Sequence, residues 1–317
     1  WQKSGREHAL DHWPVRIPKS VYDVDLRAQI WCYDPADGGW TKVFTSPMVE
    51  VSPGFEVPMS IGFRTMAVFQ GSADPRPALY VPTWATSDWP TSVMLRSYDG
   101  KNFEVCSEPG LGFGNPMPRC LRGLVSFKGR LYTAPAMGQM EGQPQMAGQS
   151  MIFCADDPSG NWKPACAPGF NDSNNISIYE LGVFKNRLYA GTLNPVEGYQ
   201  VWRTEGEGEP PFEWKRVLSH GAYRGALNEG AMTLSPFGEY LYVGSAIQFG
   251  GYDRDFKIGP APPEVVRVAE DDSWDIVCGD PRMTPDGLKI PLSGMGPAFG
   301  NFCACYLWCI QEHDGWL

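Results

Sequence analysis

The sequence has no uninterrupted apolar run near the roughly eighteen residues that a membrane-spanning helix needs, and no basic stretch leading into an apolar one at its start. Membrane insertion is therefore not expected. Basic residues are in deficit, 26 Lys and Arg against 36 Asp and Glu for a formal net charge of −10, so the average surface repels phosphate backbones and nucleic acid is not an expected partner. Histidine is scarce: His8, His12, His220 and His313 are too few and too scattered for a four-histidine metal centre. No loop has the Asp-x-Asp-x-Asp-Gly spacing of a calcium loop. The chain opens on Trp1 rather than Met, which is compatible with a longer or processed N-terminus, a removed leader included.

What is present suits a β-rich protein. Hydrophobic residues make up 43% of the 317, enough to bury a sizeable core. Thirty-six Gly, 29 Pro and 13% aromatics fit many short strands joined by tight turns better than helices. An internal repeat organises them. Leu79-Tyr80, Leu131-Tyr132, Leu188-Tyr189 and Leu241-Tyr242 recur at spacings of 52, 57 and 53 residues. Each follows an apolar stretch ending in Phe (Phe69, Phe127, Phe184, Phe237), and a polar turn such as Lys128-Gly129-Arg130 separates three of the four from the Leu-Tyr pair, the pattern of a hairpin.

A third strand follows each Leu-Tyr (Val93 to Arg96, Met151 to Cys154, Gln200 to Arg203, Val265 to Arg267), then an acidic or Gly-rich turn and an aromatic that opens a fourth. Two hairpins in series make one blade, so the expected fold is an all-β propeller of four-stranded antiparallel blades, six or seven in the intact ring and incomplete in this chain. The expected divisions are an extension over 1–21, a partial blade over 22–60, blades over 61–114, 115–173, 174–227 and 228–294, and the start of a further blade over 295–317. Trp308 to Leu317 reads as a new inner hairpin. The turn Ser97-Tyr98-Asp99-Gly100-Lys101-Asn102-Phe103 resembles the Asp-box of sialidase-like bacterial propellers, and other blades keep the turn and the aromatic. That resemblance implies fold and not activity.

Nine cysteines invite a disulfide or metal reading. Cys32 and Cys154 take the third-strand place that Arg96, Arg203 and Arg267 hold elsewhere, and Cys166 and Cys278 each follow a fourth-strand Trp by four residues, so they read as reduced core residues. Cys154 and Cys166 flank a hairpin turn and are the one pair placed to face each other. Cys303, Cys305 and Cys309 share one face of an expected strand, without a fourth ligand for zinc. Neither a metal nor a cofactor is expected, and reduced thiols favour a cytoplasmic setting over a secreted or periplasmic one. Met137, Met140, Met146 and Met151 read as a blade insertion.

In a propeller the starts of the inner strands and the loops before them line a central funnel. Counting five residues back from each inner-strand Phe gives Arg64, Arg122, Tyr179 and Met232, with Trp308 in the last, partial repeat, and the next position gives Thr65, Gly123, Glu180, Thr233 and Cys309. The preceding loops carry Asn115, Asn174, Asn228 and Asn301, and Glu229 falls near the rim. Two arginines can hold an anionic or polyhydroxylated ligand through guanidinium contacts. Tyr179 and Glu180 can pair as nucleophile and base, which resembles part of a sialidase constellation with two arginines placed. Arg64, Arg122, Glu229, Trp308, Asn115 and Asn301 are thus the expected ligand-binding residues, and Tyr179 and Glu180 the catalytic ones. The expected partner is a small anionic, glycan or aromatic molecule. The competing expectation is a non-catalytic protein-interaction scaffold, with a partner or missing segment completing the ring.

Overall fold

The computed structural model describes residues 23–86, 91–112, 118–136, 150–247 and 257–317. The protein is all-β, a propeller of four-stranded antiparallel blades. Two hairpins open it: β1 (Gln29–Asp34) with β2 (Gly39–Thr45), and β3 (Met48–Ser52) with β4 (Phe55–Pro58). The first complete blade has an interrupted inner strand, β5 (Gly62–Phe63) and β6 (Ala67–Phe69), followed by β7 (Ala78–Trp84), β8 (Met94–Ser97) and β9 (Glu104–Val105). The next contains β10 (Cys120–Phe127), β11 (Arg130–Ala136), β12 (Phe153–Ala155) and β13 (Lys163–Pro164). β14 (Ser177–Phe184), β15 (Arg187–Leu193), β16 (Val201–Thr204) and β17 (Lys215–Leu218) form the third. The fourth consists of β18 (Gly230–Phe237), β19 (Tyr240–Ala246), β20 (Val265–Ala269) and β21 (Trp274–Cys278), followed by a small hairpin of β22 (Arg282–Thr284) and β23 (Gly287–Lys289).

Apolar layers between consecutive blades hold the assembly together. Phe184, Tyr189, Val201 and Leu218 of the third blade meet Leu234, Val243, Val266 and Ile276 of the fourth, and equivalent clusters lie between the second and third, the first and second, and the β1 to β4 hairpins and the first. The Leu-Tyr signature is explained by these layers. Tyr80, Tyr132 and Tyr189 are fully buried, and each ring stands 6.1–6.2 Å from its hairpin partner Phe69, Phe127 or Phe184. Tyr242 keeps the same 6.2 Å pairing with Phe237 but is only half-buried, since among the described residues no complete blade covers its face.

Neighbouring blades approach closely because a glycine stands where their strands meet. A Cβ on Gly182 would lie 2.9 Å from the Leu234 Cβ, and one on Gly191 would lie 2.7 Å from the Ala231 Cβ and 3.0 Å from its carbonyl oxygen. Gly191→Ala is expected to lower stability by about 1–3 kcal/mol, read as a reduced urea midpoint at unchanged slope. Gly244 receives Leu307 in the same way, the hypothetical Cβ falling 2.9 Å from the Leu307 Cβ.

That contact locates the C-terminal segment. Tyr306 bridges Ala246 as Gly230 bridges Leu193 and Cys120 bridges Trp84, so it stands where the next inner strand begins. The hairpin expected over Trp308 to Leu317 is not formed as a ladder: beyond Tyr306 the backbone is irregular apart from a bridge between His313 and Trp316, and Trp316 is 80% exposed. Cys303, Cys305 and Cys309 accordingly do not share a strand face. All nine thiols are free, including Cys154 and Cys166, whose Cys166 Sγ instead accepts the Ile152 N–H at 3.3 Å.

The acidic turns do two jobs. Asp37, Asp99, Asp157 and Asp271 accept N–H groups of their own turns, Asp99 from both Lys101 and Asn102. Asp272 instead reaches the preceding blade, accepting from Arg203 at 2.7 and 2.9 Å and from Lys215 at 2.6 Å. Among the described residues no helix is long and apolar enough to cross a membrane.

Candidate ligand site

Each complete inner strand departs from regular register within one pair of repeat positions. In β10 the irregularity falls between Arg122 and Leu124, in β14 between Ile178 and Glu180, and in β18 between Ala231 and Thr233; in the first blade the strand breaks between Phe63 and Ala67. A bulge sets two residues opposite one and re-aims their side chains. The residues at these irregularities are the pairs counted from the sequence: Arg64-Thr65, Arg122-Gly123, Tyr179-Glu180 and Met232-Thr233. Gly123 takes φ +52°, with Leu181 atoms 3.1 Å from where a Cβ would sit.

The structure brings most of the expected residues together. The Arg64 guanidinium lies 4.1 Å from the Trp84 ring centre and 5.8 Å from that of Trp308, and the Arg122 guanidinium lies 4.3 Å from the Tyr179 ring. Burial, and after it the nearby charge of Arg64, pull the Arg122 pKa below its ordinary value. Burial pushes the Tyr179 hydroxyl up to about 12 against the opposing pull of Arg122, so it is a hydrogen-bond donor at neutral pH, not a phenolate. Glu180 is pushed up to about 7 by burial, opposed by the Leu181 N–H that donates to its Oε1 at 2.9 Å and by Arg122. Glu229, 2% exposed, interacts electrostatically with Tyr179 and Tyr306.

Three donors in this cluster are unspent. Arg64 Nε, Arg122 Nε and the Tyr179 hydroxyl are buried and have no hydrogen-bond partner among the described residues. Leaving a donor so costs about 1–3 kcal/mol each, an expense that a bound acceptor removes.

Not every expected residue joins the cluster. Asn301 is exposed and its Oδ1 caps the Cys303 N–H at 3.1 Å, while Asn115 lies outside the described residues. Asn228 is buried structurally, donating to Gly221 O at 2.9 Å and Glu264 Oε2 at 2.8 Å. Two members escaped the sequence reading. Cys120 is 5% exposed and lies close to both Arg64 and Arg122, although burial outweighs their pull and leaves its thiol raised. Tyr306 lies near Arg122 and Glu229, its ring 5.5 Å from Trp308. Each sits two residues before a position that was counted, at the strand start.

No protein-family model and no curated protein matches the chain. Among solved structures it is similar to the Bacteroides ovatus xyloglucan PUL protein GH43B, with 13% identity, a TM-score of 0.40, and coverage of 70% of this chain and 42% of that one. It is also similar to an ancestral GH74 enzyme, at 18% identity, TM-score 0.43, and 69% and 26% coverage. A Bombyx mori GH32 β-fructofuranosidase aligns at 10% identity and TM-score 0.38, over 71% of this chain and 54% of that one. The chain thus spans 26–54% of the length of these three structures. Likeness at this level carries nothing about activity, so the chemistry rests on the side chains alone.

Proposed function

We propose that the mouth of the inner-strand channel binds a small organic anion, a carboxylate carried on a sugar or other flat ring. One observation carries this reading: the buried, unpartnered Nε groups of Arg64 and Arg122 beside the unpartnered Tyr179 hydroxyl. Guanidinium donors favour a planar carboxylate, and Trp308, 57% exposed, offers a flat apolar face next to them. Binding is tested by calorimetric titration of the whole chain with glucuronate, benzoate, glucose and inorganic phosphate. Glucuronate or benzoate is expected to bind at least tenfold more tightly than glucose. Equal affinity for glucose, or no binding by either carboxylate, overturns the reading.

Affinity is expected to depend on pH through Glu180. Its pKa of about 7 lies above the ordinary carboxyl value, so the group is neutral below pH 7 and adds a negative charge beside Arg122 above it. Carboxylate affinity is therefore expected to fall as pH rises from 6 to 8, and Glu180→Gln to flatten that dependence.

Catalysis is a second reading, favoured by the same carboxyl. A group titrating near 7 is suited to general acid or base work, and Tyr179 lies next to it in sequence at the bulge. Release of nitrophenol from nitrophenyl glycosides, with a pH profile that breaks near 7 and is lost in Glu180→Gln, is the expected signature.

A further inference from the structure

Five of the nine thiols, Cys106, Cys120, Cys154, Cys166 and Cys278, are pushed up by burial and are poor nucleophiles. The exposed ones are Cys32 and a group of three within seven residues, Cys303, Cys305 and Cys309. Local backbone sets two of these apart. A turn closes from the Ala304 N–H to Asn301 O at 3.2 Å, with the Asn301 side chain holding the Cys303 N–H at 3.1 Å. The Cys305 carbonyl then accepts the Ile247 N–H at 3.1 Å, and the Leu307 N–H donates to Ser245 O at 3.1 Å, which pins Cys305 against the end of β19. The Cys305 Sγ stands 3.8 Å from the Cys303 carbonyl oxygen, so its thiol is folded back over the residue it would have to meet. Cys309 is separated from this pair by Tyr306 and Trp308.

We propose that Cys303 and Cys305 are a redox-active dithiol at the channel mouth, oxidised by low-molecular-weight disulfides. One protein thiolate attacks a sulfur of the small disulfide, forming a mixed disulfide and releasing one small thiol. The second protein thiolate attacks the protein-side sulfur, forming the Cys303–Cys305 bond and releasing the other small thiol. Two electrons pass from the protein pair to the reagent, and the two protons leave with the released thiols. The separation suits a labile bond. Residues i and i+2 are at most about 7 Å apart when extended, at the upper limit for a disulfide, and the Cys305 Sγ already lies 3.8 Å from the Cys303 carbonyl oxygen. Strained, exposed disulfides of this kind are the easily reduced, regulatory ones.

The test treats the whole chain with oxidised glutathione, quenches with acid and maps the cysteine peptides by mass spectrometry. A disulfide confined to Cys303 and Cys305, reversed by excess reduced glutathione, is expected. Cys309→Ser should leave it unchanged. Cys305→Ser should convert Cys303 to a lasting glutathione adduct, raising that adduct at least tenfold over the unsubstituted chain. Stable glutathione adducts on both Cys303 and Cys305 of the unsubstituted chain, or a bond that takes in Cys309 or Cys32, overturns the proposal. The measurement involves no channel ligand, so its outcome is independent of anion binding.

Discussion

Replacing Glu264 by alanine is expected to lower stability by about 3–5 kcal/mol, the cost of leaving a buried ion pair without one of its partners. Its carboxylate is fully buried and accepts from Arg282 Nη1 at 3.0 Å, from the Asp280 N–H at 2.6 Å and from Asn228 Nδ2 at 2.8 Å, with Arg282 Nη2 2.9 Å and Arg224 Nε 3.4 Å away as ion-pair contacts. Both arginine side chains are more than nine-tenths buried. Removing the acid strands one positive charge more than the remaining Asp280 can balance, in a place where water does not compensate. Glu264→Gln keeps the shape and one acceptor, and should recover part of the loss. Urea denaturation of both variants decides the matter; a loss below about 1 kcal/mol for Glu264→Ala would show that the cluster is hydrated and incidental.

Arg122→Ala is expected to weaken carboxylate binding about tenfold to a hundredfold, the equivalent of one or two hydrogen bonds to a charged group. Its effect on stability should be small or favourable. Arg122 is held near the like charge of Arg64 with an unsatisfied Nε, and what attracts it in the cluster is the Tyr179 ring and the neighbouring Glu180 carboxyl when ionised. The two readouts together discriminate. A structural plug would unfold several kcal/mol more easily when cut, whereas a binding residue loses affinity and leaves the fold intact. Arg64→Ala should behave alike, with the added loss of stacking on Trp84.

Much of this organisation was legible because it repeats. The Leu-Tyr pairs mark strands whose tyrosines fill equivalent layers, and once one hairpin is recognised the Phe beside it becomes a ruler that reaches Arg64, Arg122 and Tyr179. Counting worked because the irregularity in each inner strand falls within the same pair of repeat positions, at Gly123 in β10 and one place earlier in the repeat, at Tyr179 and Met232, in β14 and β18. The irregularity itself has no compositional mark, and nothing in Tyr179-Glu180 announces two residues facing one. The Glu264 cluster was equally hidden, since Arg224, Asn228, Asp280 and Arg282 come from segments that only the folded blade brings together. The left-handed turns at Gly110-Leu111, Gly169-Phe170, Gly221-Ala222 and Ala298-Phe299 did leave a trace in Pro-Gly-Leu, Pro-Gly-Phe and Pro-Ala-Phe. Each sends an N–H to a carbonyl just upstream of a third strand, Gly110 to Ser92, Gly169 to Ser150, Gly221 to Tyr199 and Ala298 to Pro263, a tie repeated in all four blades. For the C-terminal segment, pattern alone overstated order: Trp308 aligns with its counterparts, but the residues after it have no neighbouring strand to pair with among those described.

Successive blades share few backbone hydrogen-bonded pairings. Leu193 with Gly230 and Trp84 with Cys120 are single rungs, loop bonds such as Ser72 N–H to Asp156 O and Phe212 N–H to Ala165 O add a few more, and the broad contact between blades is apolar side chain against side chain. Such a molecule resembles a short stack of coins more than a woven fabric. Its cooperativity is set by nearest-neighbour faces, so a defect in one layer is felt by two blades and only weakly by the rest. Damage is compartmentalised, and sites assembled from several blades at once, as the arginine cluster is, register the loss of any one of them first.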